Sequence, residues 1–263
     1  MGDVVTAELF SHIKGLLLDI NGVFYVGNRL LPGAADVIKA LRDRDMPFRI
    51  VTNNTNESLA TLHRNLNKMG LPIKQHEIIS APYAAVLYLR QRGKPKCFLL
   101  LDDKVVSDFQ EFPVSETDAE VVVVGDMGDG WTYRVLNRAF HLIMKGAELV
   151  ALHKGRYWQW EAGLQLDIGA FVAGLEYSTE RTATVIGKPS SSFFKLALDD
   201  LGLTADEVAM VGDDIEADVG GAQAVGLKGI LVKTGKYRDT FAEKSDIVPD
   251  LTLASVAAIA PML

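Results

Sequence analysis

Four short segments carry the residue types needed to handle a phosphoryl group, and each closes a stretch that reads as a β-strand. Asp19-Ile20-Asn21-Gly22-Val23 follows the apolar run Gly15-Leu16-Leu17-Leu18, and Thr52-Asn53-Asn54-Thr55 ends a second such run. Gly187-Lys188-Pro189-Ser190 follows Ala183-Thr184-Val185-Ile186, and Gly212-Asp213-Asp214, with Asp218 beyond it, follows Val208-Ala209-Met210-Val211. A carboxylate at a strand end, followed by a glycine turn, stands at the carboxyl edge of the sheet, where open α/β sheets bind ligands. Together the segments supply a carboxylate nucleophile, hydroxyl and amide donors, a lysine and a second acidic cluster. Mg²⁺ takes oxygen ligands and keeps several waters, so two carboxylates and a carbonyl suffice to hold it. Thr52, the amides near it and Lys188 are suited to the non-bridging phosphate oxygens as charge develops. Singly, each segment has a plainer reading: Asp19 as a turn cap, residues 52–55 as a helix-capping loop, Gly187-Lys188-Pro189 as a turn, Asp213-Asp214 as an N-cap.

The elements that must position these residues alternate between strands and helices. Strands are expected at residues 14–19 and 48–52, with helices at 34–44, where Ala35, Ile38 and Leu41 share a face, and at 59–69, where Leu59, Leu62, Leu66 and Met69 do. A second set has a helix at 82–92, strands at 97–101, 120–124 and 148–152, and a long helix at 132–145. A third has strands at 183–186, 208–211 and 229–232 and helices at 193–201 and 215–225. Such alternation predicts an α/β fold, a Rossmann-like doubly wound parallel sheet. Residues 1–81 and 182–263 form its core, and residues 82–181 form an inserted α/β domain.

With 263 residues, of which 48% are hydrophobic, the chain can bury a large core. Its net charge of −7 argues against nucleic acid as a partner, which would need a concentrated basic face. No apolar run approaches the ~20 residues that span a bilayer, and the first residues lack a basic-then-apolar targeting pattern, so a soluble cytoplasmic protein without membrane contact is expected. Cys97, the only cysteine, lies in an apolar run and reads as a core residue. His12, His63, His76, His141 and His153 show no metal-ligand spacing, and His153 alone is a candidate for a role outside surface or helix faces. Val219-Gly220-Gly221-Ala222 lacks the spacing of a dinucleotide fingerprint and reads as close helix–sheet packing.

With all four motifs in order, the chain resembles the haloacid dehalogenase superfamily phosphatases over essentially its whole length. It is similar to the NagD-like class, whose large α/β cap is inserted after the second motif, and within it to the phospholysine phosphohistidine phosphatase-like branch. The resemblance implies that Asp19 attacks phosphorus to form an aspartyl phosphate. It implies Mg²⁺ held by the Asp19 carboxylate, the Asn21 backbone carbonyl and the Asp213 carboxylate, with Asp214 and Asp218 supporting and Asp218 orienting a metal-bound water. Thr52, Asn53 and Lys188 carry over as phosphate-binding residues. Position 21 departs from the commonest pattern, in which a second aspartate protonates the leaving group and activates water; an amide does neither. The expected substrate is therefore a small phosphorylated molecule with a good leaving group, such as an aryl phosphate or phosphoamidate. The alternatives are a phospholigand-binding or regulatory protein of the same fold and, third, a dehalogenase, which does not need the acidic cluster at 213–218.

Residues 82–181 would then cover the site. Two of their loops, Asp126-Met127-Gly128-Asp129-Gly130-Trp131 and His153-Lys154-Gly155-Arg156-Tyr157-Trp158-Gln159-Trp160, offer an arginine beside three aromatic rings. These would either bind an anionic or planar group or fill an interface between loops or subunits. A homo-oligomer formed through the cap is expected by analogy.

Overall fold

Leu16, Leu17 and Leu18 are all fully buried, which requires a strand covered on both faces, the position of a central strand in a parallel sheet. The computed structural model, which describes residues 9–160 and 163–263, places them in β1 (Gly15–Leu18). The chain continues through β2 (Tyr25–Val26), β3 (Arg29–Leu30), β4 (Phe48–Thr52), β5 (Ile78–Ser80), β6 (Cys97–Leu100), β7 (Val121–Val124) and β8 (Glu148–Ala151). It ends through β9 (Tyr157–Trp160), β10 (Gly163–Leu166), β11 (Thr184–Val185), β12 (Val208–Gly212), β13 (Lys228–Val232) and β14 (Leu251–Leu253).

The main sheet has the order β14-β13-β12-β1-β4-β5, and every pairing in it is parallel. From β1 the chain steps outward through β4 to β5, then returns to β12 on the other side. The reversal lies between β1 and β12, and such a switch point opens a crevice at the carboxyl ends of the strands. Strand alternation sends Leu16 and Leu18 to one face, with Ile50, Val211 and Ile230 beneath the helices Ala34–Asp43 and Leu59–Lys68. Leu17 goes to the other face, with Val51, Met210 and the helix Ser191–Leu201.

The inserted region builds its own parallel sheet, β11-β8-β7-β6, and an antiparallel hairpin of β9 and β10. Its fourth strand is Thr184–Val185, so the chain completes this sheet immediately before re-entering the core at Gly187. One apolar cluster spans the core and the insert, holding Leu17, Val51, Phe193 and Phe194 together with Val121, Val123 and Val150. Cys97 belongs to that cluster and is fully buried, as expected of it.

Three features differ from the sequence expectation. The strand expected at 183–186 as part of the core instead pairs with β8 as Thr184–Val185, which carries the insert's sheet past the expected boundary at residue 181. The helix expected over 215–225 opens as a π-helix, Ile215–Gly220, with an α-turn, Gly221–Gln223, behind it. The wide turn is visible in the Val219 N–H, which donates to the Asp214 carbonyl at 3.2 Å, while the Asp214 carboxylate accepts from the N–H groups of Glu216 and Ala217, each at 2.9 Å. The strands β2, β3, β5, β9, β10 and β14 were not expected; β2, β3, β5 and β14 span only two or three residues, and β9 and β10 form a hairpin apart from the parallel sheets. Gly221 does pack closely, since a Cβ there would lie 2.8 Å from Phe194 and 2.8 Å from Pro189. No helix among the described residues is long and apolar enough to cross a membrane.

Phe194 is fully buried within this apolar cluster. Phe194→Ala should therefore destabilise the protein by about 3–5 kcal/mol, read as a lowered urea midpoint at unchanged slope.

Candidate active site

Asp19 leaves the end of β1 and Asp213 the end of β12, the two strands that flank the switch point. Both are buried, as is Asp218 on the π-helix that follows β12. The three carboxylates each offer an oxygen within 4.8 Å of the others. Asp218 reaches this position by folding beneath the backbone: a Cβ on Gly212 would stand 2.1 Å from its Oδ2, so only glycine fits there. Its Oδ2 also accepts from the Asp214 N–H at 3.1 Å, which ties the start of the π-helix to the carboxylate four residues on.

Lys188 supplies the compensating charge. Its buried Nζ donates to Asp19 Oδ1 at 2.5 Å and lies 2.7 Å from Asp218 Oδ1. Burial alone would lower its pKa, but the Asp19 and Asp218 carboxylates outweigh it and hold the ammonium charged. Asn53 aims this lysine from the end of β4: its Oδ1 accepts from the Lys188 N–H and its Nδ2 donates to the Lys188 carbonyl, both at 2.9 Å. The Asn53 amide is thus occupied by the Lys188 backbone. Thr52 is buried beside it, and its Oγ1 accepts from the Asn54 N–H at 3.1 Å, leaving the hydroxyl proton to point elsewhere.

Lys236, which the sequence reading did not place in the site, is the second cation. Its Nζ lies 2.6 Å from Asp214 Oδ2, and its backbone N–H donates to Asp213 Oδ2 at 2.7 Å. That oxygen sits in a cradle of two glycines, where a Cβ on either Gly22 or Gly235 would come within 2.0 Å of it. Gly22 also has φ +89°, a conformation that side chains resist, which explains the glycine two residues before Phe24 in the first motif. The signal for Lys236 was present in Thr234-Gly235-Lys236 after β13, but its pairing with Asp214 depends on strand order.

The charges of the cluster do not balance. Asp19, Asp213, Asp214 and Asp218 contribute −4 and Lys188 and Lys236 +2, leaving a formal −2 in a buried setting. The titration behaviour reflects this. Burial, with Asp19 and Asp218 adding to it, pushes the Asp213 carboxyl well above its ordinary range, and burial pushes Asp218 up to about 6 against the pull of Lys188. Burial also works against Asp214, but the Lys236 ammonium and the N–H groups of Ala217 and Glu216 hold its carboxyl below the usual range. Asp213 Oδ1 is buried with no hydrogen-bond donor among the described residues. Hard oxygen donors, an unpartnered buried oxygen and a deficit of two positive charges are what a divalent cation would complete.

These groups open into one cleft of about 1360 Å³, lined from the core by Asp19, Asn21, Thr52 and Lys188 and from the cap by His153 and Arg156. Asn21 thus faces the site, and its side chain makes no hydrogen bond to a described residue. His153 is the one histidine on the cleft wall among the described residues; its Nδ1 accepts from the Gly155 N–H at 3.1 Å, and Asp167 Oδ1 lies 3.7 Å from Nε2. Burial holds its pKa below the ordinary imidazole range. Of the cap aromatics, Tyr157 and Trp158 line the cleft, whereas Trp131 stacks on Phe171 at 4.1 Å. The side chain of Trp160 lies outside the described residues.

Residues 16–115 match the haloacid dehalogenase-like hydrolase family, and residues 185–259 match the HAD-hydrolase-like family. The human haloacid dehalogenase-like hydrolase domain-containing protein 2 is 42% identical over 243 residues, covering 92% of this chain and 93% of that protein. The bovine phospholysine phosphohistidine inorganic pyrophosphate phosphatase is 36% identical over 262 residues, covering 97% and 96%. Among solved structures, the 4-nitrophenylphosphatase of Thermotoga maritima superposes with a TM-score of 0.90 at 26% identity, covering 96% of this chain and 98% of that one. The p-nitrophenyl phosphatase of Archaeoglobus fulgidus superposes with a TM-score of 0.88 at 28% identity, covering 95% and 99%.

The two hydrogen bonds from Asn53 to the Lys188 backbone give a direct test of how the lysine is aimed. Asn53→Ala leaves both backbone groups without that partner and should cost about 1–3 kcal/mol of stability, measured by urea denaturation. Asn53→Asp keeps an acceptor for the Lys188 N–H but loses the donor to its carbonyl, so it should recover only part of the loss.

Proposed function

The chain belongs to the haloacid dehalogenase-like hydrolases of the phosphatase type, and on that premise we propose that it is a Mg²⁺-dependent phosphohydrolase working through an aspartyl phosphate on Asp19. The observation that carries this reading is the buried Lys188 ammonium between Asp19 and Asp218, in a cluster whose Asp213 oxygen has no donor among the described residues. Asp19, Asp213 and the Asn21 carbonyl would hold the metal with support from Asp218 and Asp214. When bound, Mg²⁺ supplies the missing positive charge and neutralises phosphate oxygens.

The remaining work falls to the chain. One Asp19 oxygen bonds to phosphorus as the bond to the leaving group breaks; water then attacks the same phosphorus, releasing inorganic phosphate and regenerating the carboxylate. Lys188 and the Thr52 hydroxyl, with backbone amides from Asn53 onward, hold the non-bridging oxygens while charge develops. The Asn53 side chain acts through Lys188, which it aims. The inserted region, whose sheet ends with Thr184–Val185, serves as the cap that excludes water from the cleft. The substrate of this reading is a small phosphorylated molecule, the compartment is the cytoplasm, and self-association would run through the cap.

Asn21 sets the preference within this class. Its amide cannot protonate a departing oxygen, so leaving groups that depart unaided, such as aryl oxides, or nitrogen already protonated in a phosphoamidate, are favoured. The two relatives named as nitrophenyl phosphatases are similar in fold to this chain, in keeping with an aryl substrate. The same amide favours a second reading, a phospholigand-binding protein with little turnover.

Phosphate release from p-nitrophenyl phosphate decides between the readings. Sustained turnover that requires Mg²⁺, stops with chelator and is abolished by Asp19→Asn is expected of the enzyme; no turnover across the pH range would establish the binder. Asn21→Asp should raise turnover of simple alkyl phosphates by about 10²–10⁴-fold and of aryl phosphates far less. An equal change on both substrates would remove Asn21 as the source of the preference.

A further inference from the structure

The cap hairpin touches the core beside the acidic cluster through two neighbouring residues. Arg156, the residue before β9, pairs with Glu216 at 3.0 Å. Glu216 lies on the π-helix, and its N–H donates to the Asp214 carboxylate. Tyr157 opens β9 and meets Phe241 with ring centroids 5.8 Å apart and planes tilted by 38°. Phe241 lies on the short helix Asp239–Ala242, which follows the Lys236 loop that holds Asp213. An aromatic residue on a core helix is ordinarily explained by packing, and here that explanation fails. The helix Asp239–Ala242 buries none of its residues, and Phe241 keeps 44% of its surface exposed. Both rings line the same cleft as Asp19 and Lys188.

We propose that Tyr157 and Phe241 form the leaving-group subsite, a two-ring wall across the cap–core seam that selects substrates whose leaving group is a planar aromatic ring. This rests on the phosphohydrolase reading above and sharpens its substrate class. A phosphoryl group held at Lys188 and the acidic cluster directs its leaving group away from Asp19, because attack and departure are in line. An aryl group leaving toward the seam would stack or meet edge-on with rings from both domains, so the cap would close best over aromatic substrates. The exposed Arg156–Glu216 pair spans the same seam between the hairpin that carries Tyr157 and the core. A leaving group without a ring gains nothing from this wall.

Two ratios test the proposal. The first is the affinity for phenylphosphonate over methylphosphonate, measured by calorimetry with Mg²⁺ present; these probes share the phosphonate and differ in the ring. The second is kcat/KM for p-nitrophenyl phosphate over acetyl phosphate. Phe241→Ala and Tyr157→Ala should each lower both ratios by about tenfold, the scale expected for losing an apolar contact in a pocket, and Phe241→Tyr should restore them. Unchanged ratios, or equal losses on both members of each pair, would overturn the subsite. Absence of turnover on either substrate in the parent protein would instead refute the phosphohydrolase reading, and the phosphonate affinities would still decide the subsite. Because Phe241 is exposed, its replacement should leave the thermal midpoint close to that of the parent.

Discussion

The molecule depends on the compensation of buried negative charge at the carboxyl ends of β1 and β12. Carboxylates taken out of water cost far more than burial of apolar groups returns, unless cations or aligned N–H groups stand beside them. Lys188 meets that demand for Asp19 and Asp218, and Lys236 for Asp214 and, through its backbone, Asp213. Much of the local geometry follows from bringing these groups into contact. The glycines at 22, 212 and 235 are positions where a methyl group would occupy the space of a carboxylate oxygen. The π-helix at Ile215–Gly220 turns wide enough for Asp214 to cap its N–H groups while Asp218 folds back beneath Gly212.

The same compensation joins the two domains. Lys188 follows the last strand of the cap sheet, and the Gly187 N–H before it donates to the Leu152 carbonyl at 2.8 Å, at the end of β8. The residue that neutralises Asp19 is therefore hydrogen-bonded through its neighbour to the cap, and through Asn53 to the core strand β4. The apolar cluster that spans the core and the insert continues this link. The cap wall is thus positioned by the same short segment that positions the lysine, which places His153, Arg156 and Tyr157 over the acidic cluster rather than elsewhere on the surface.

Asn21 matters because its setting leaves it little to do except face the cleft. A carboxylate there would add a fifth negative charge to a cluster already short of two positive ones; an amide adds none. The amide therefore eases the electrostatic problem at the site, at the cost of a group that can exchange a proton.

The amino-acid sequence by itself determined the α/β alternation, the long helices and the four strand-end motifs, because apolar periodicity and the placement of Asp, Asn, Lys and Gly after strands are local properties. Asp19, Thr52, Lys188, Asp213 and Asp218 could all be named from that pattern, and the fold brings them to one cleft. The tertiary structure alone decided which charge meets which. Lys236 pairs with Asp214 because β13 lies beside β12, Asn53 reaches Lys188 across 135 residues, and Tyr157 meets Phe241 only because the cap hairpin closes on the core. It also decided that the stretch after Asp214 would wind as a π-helix, since the need to seat Asp218 under Gly212 outweighed the regular helical pattern. Local sequence specifies which groups reach the sheet edge. The order of the strands specifies their neighbours, and in a buried cluster the neighbours set the charge.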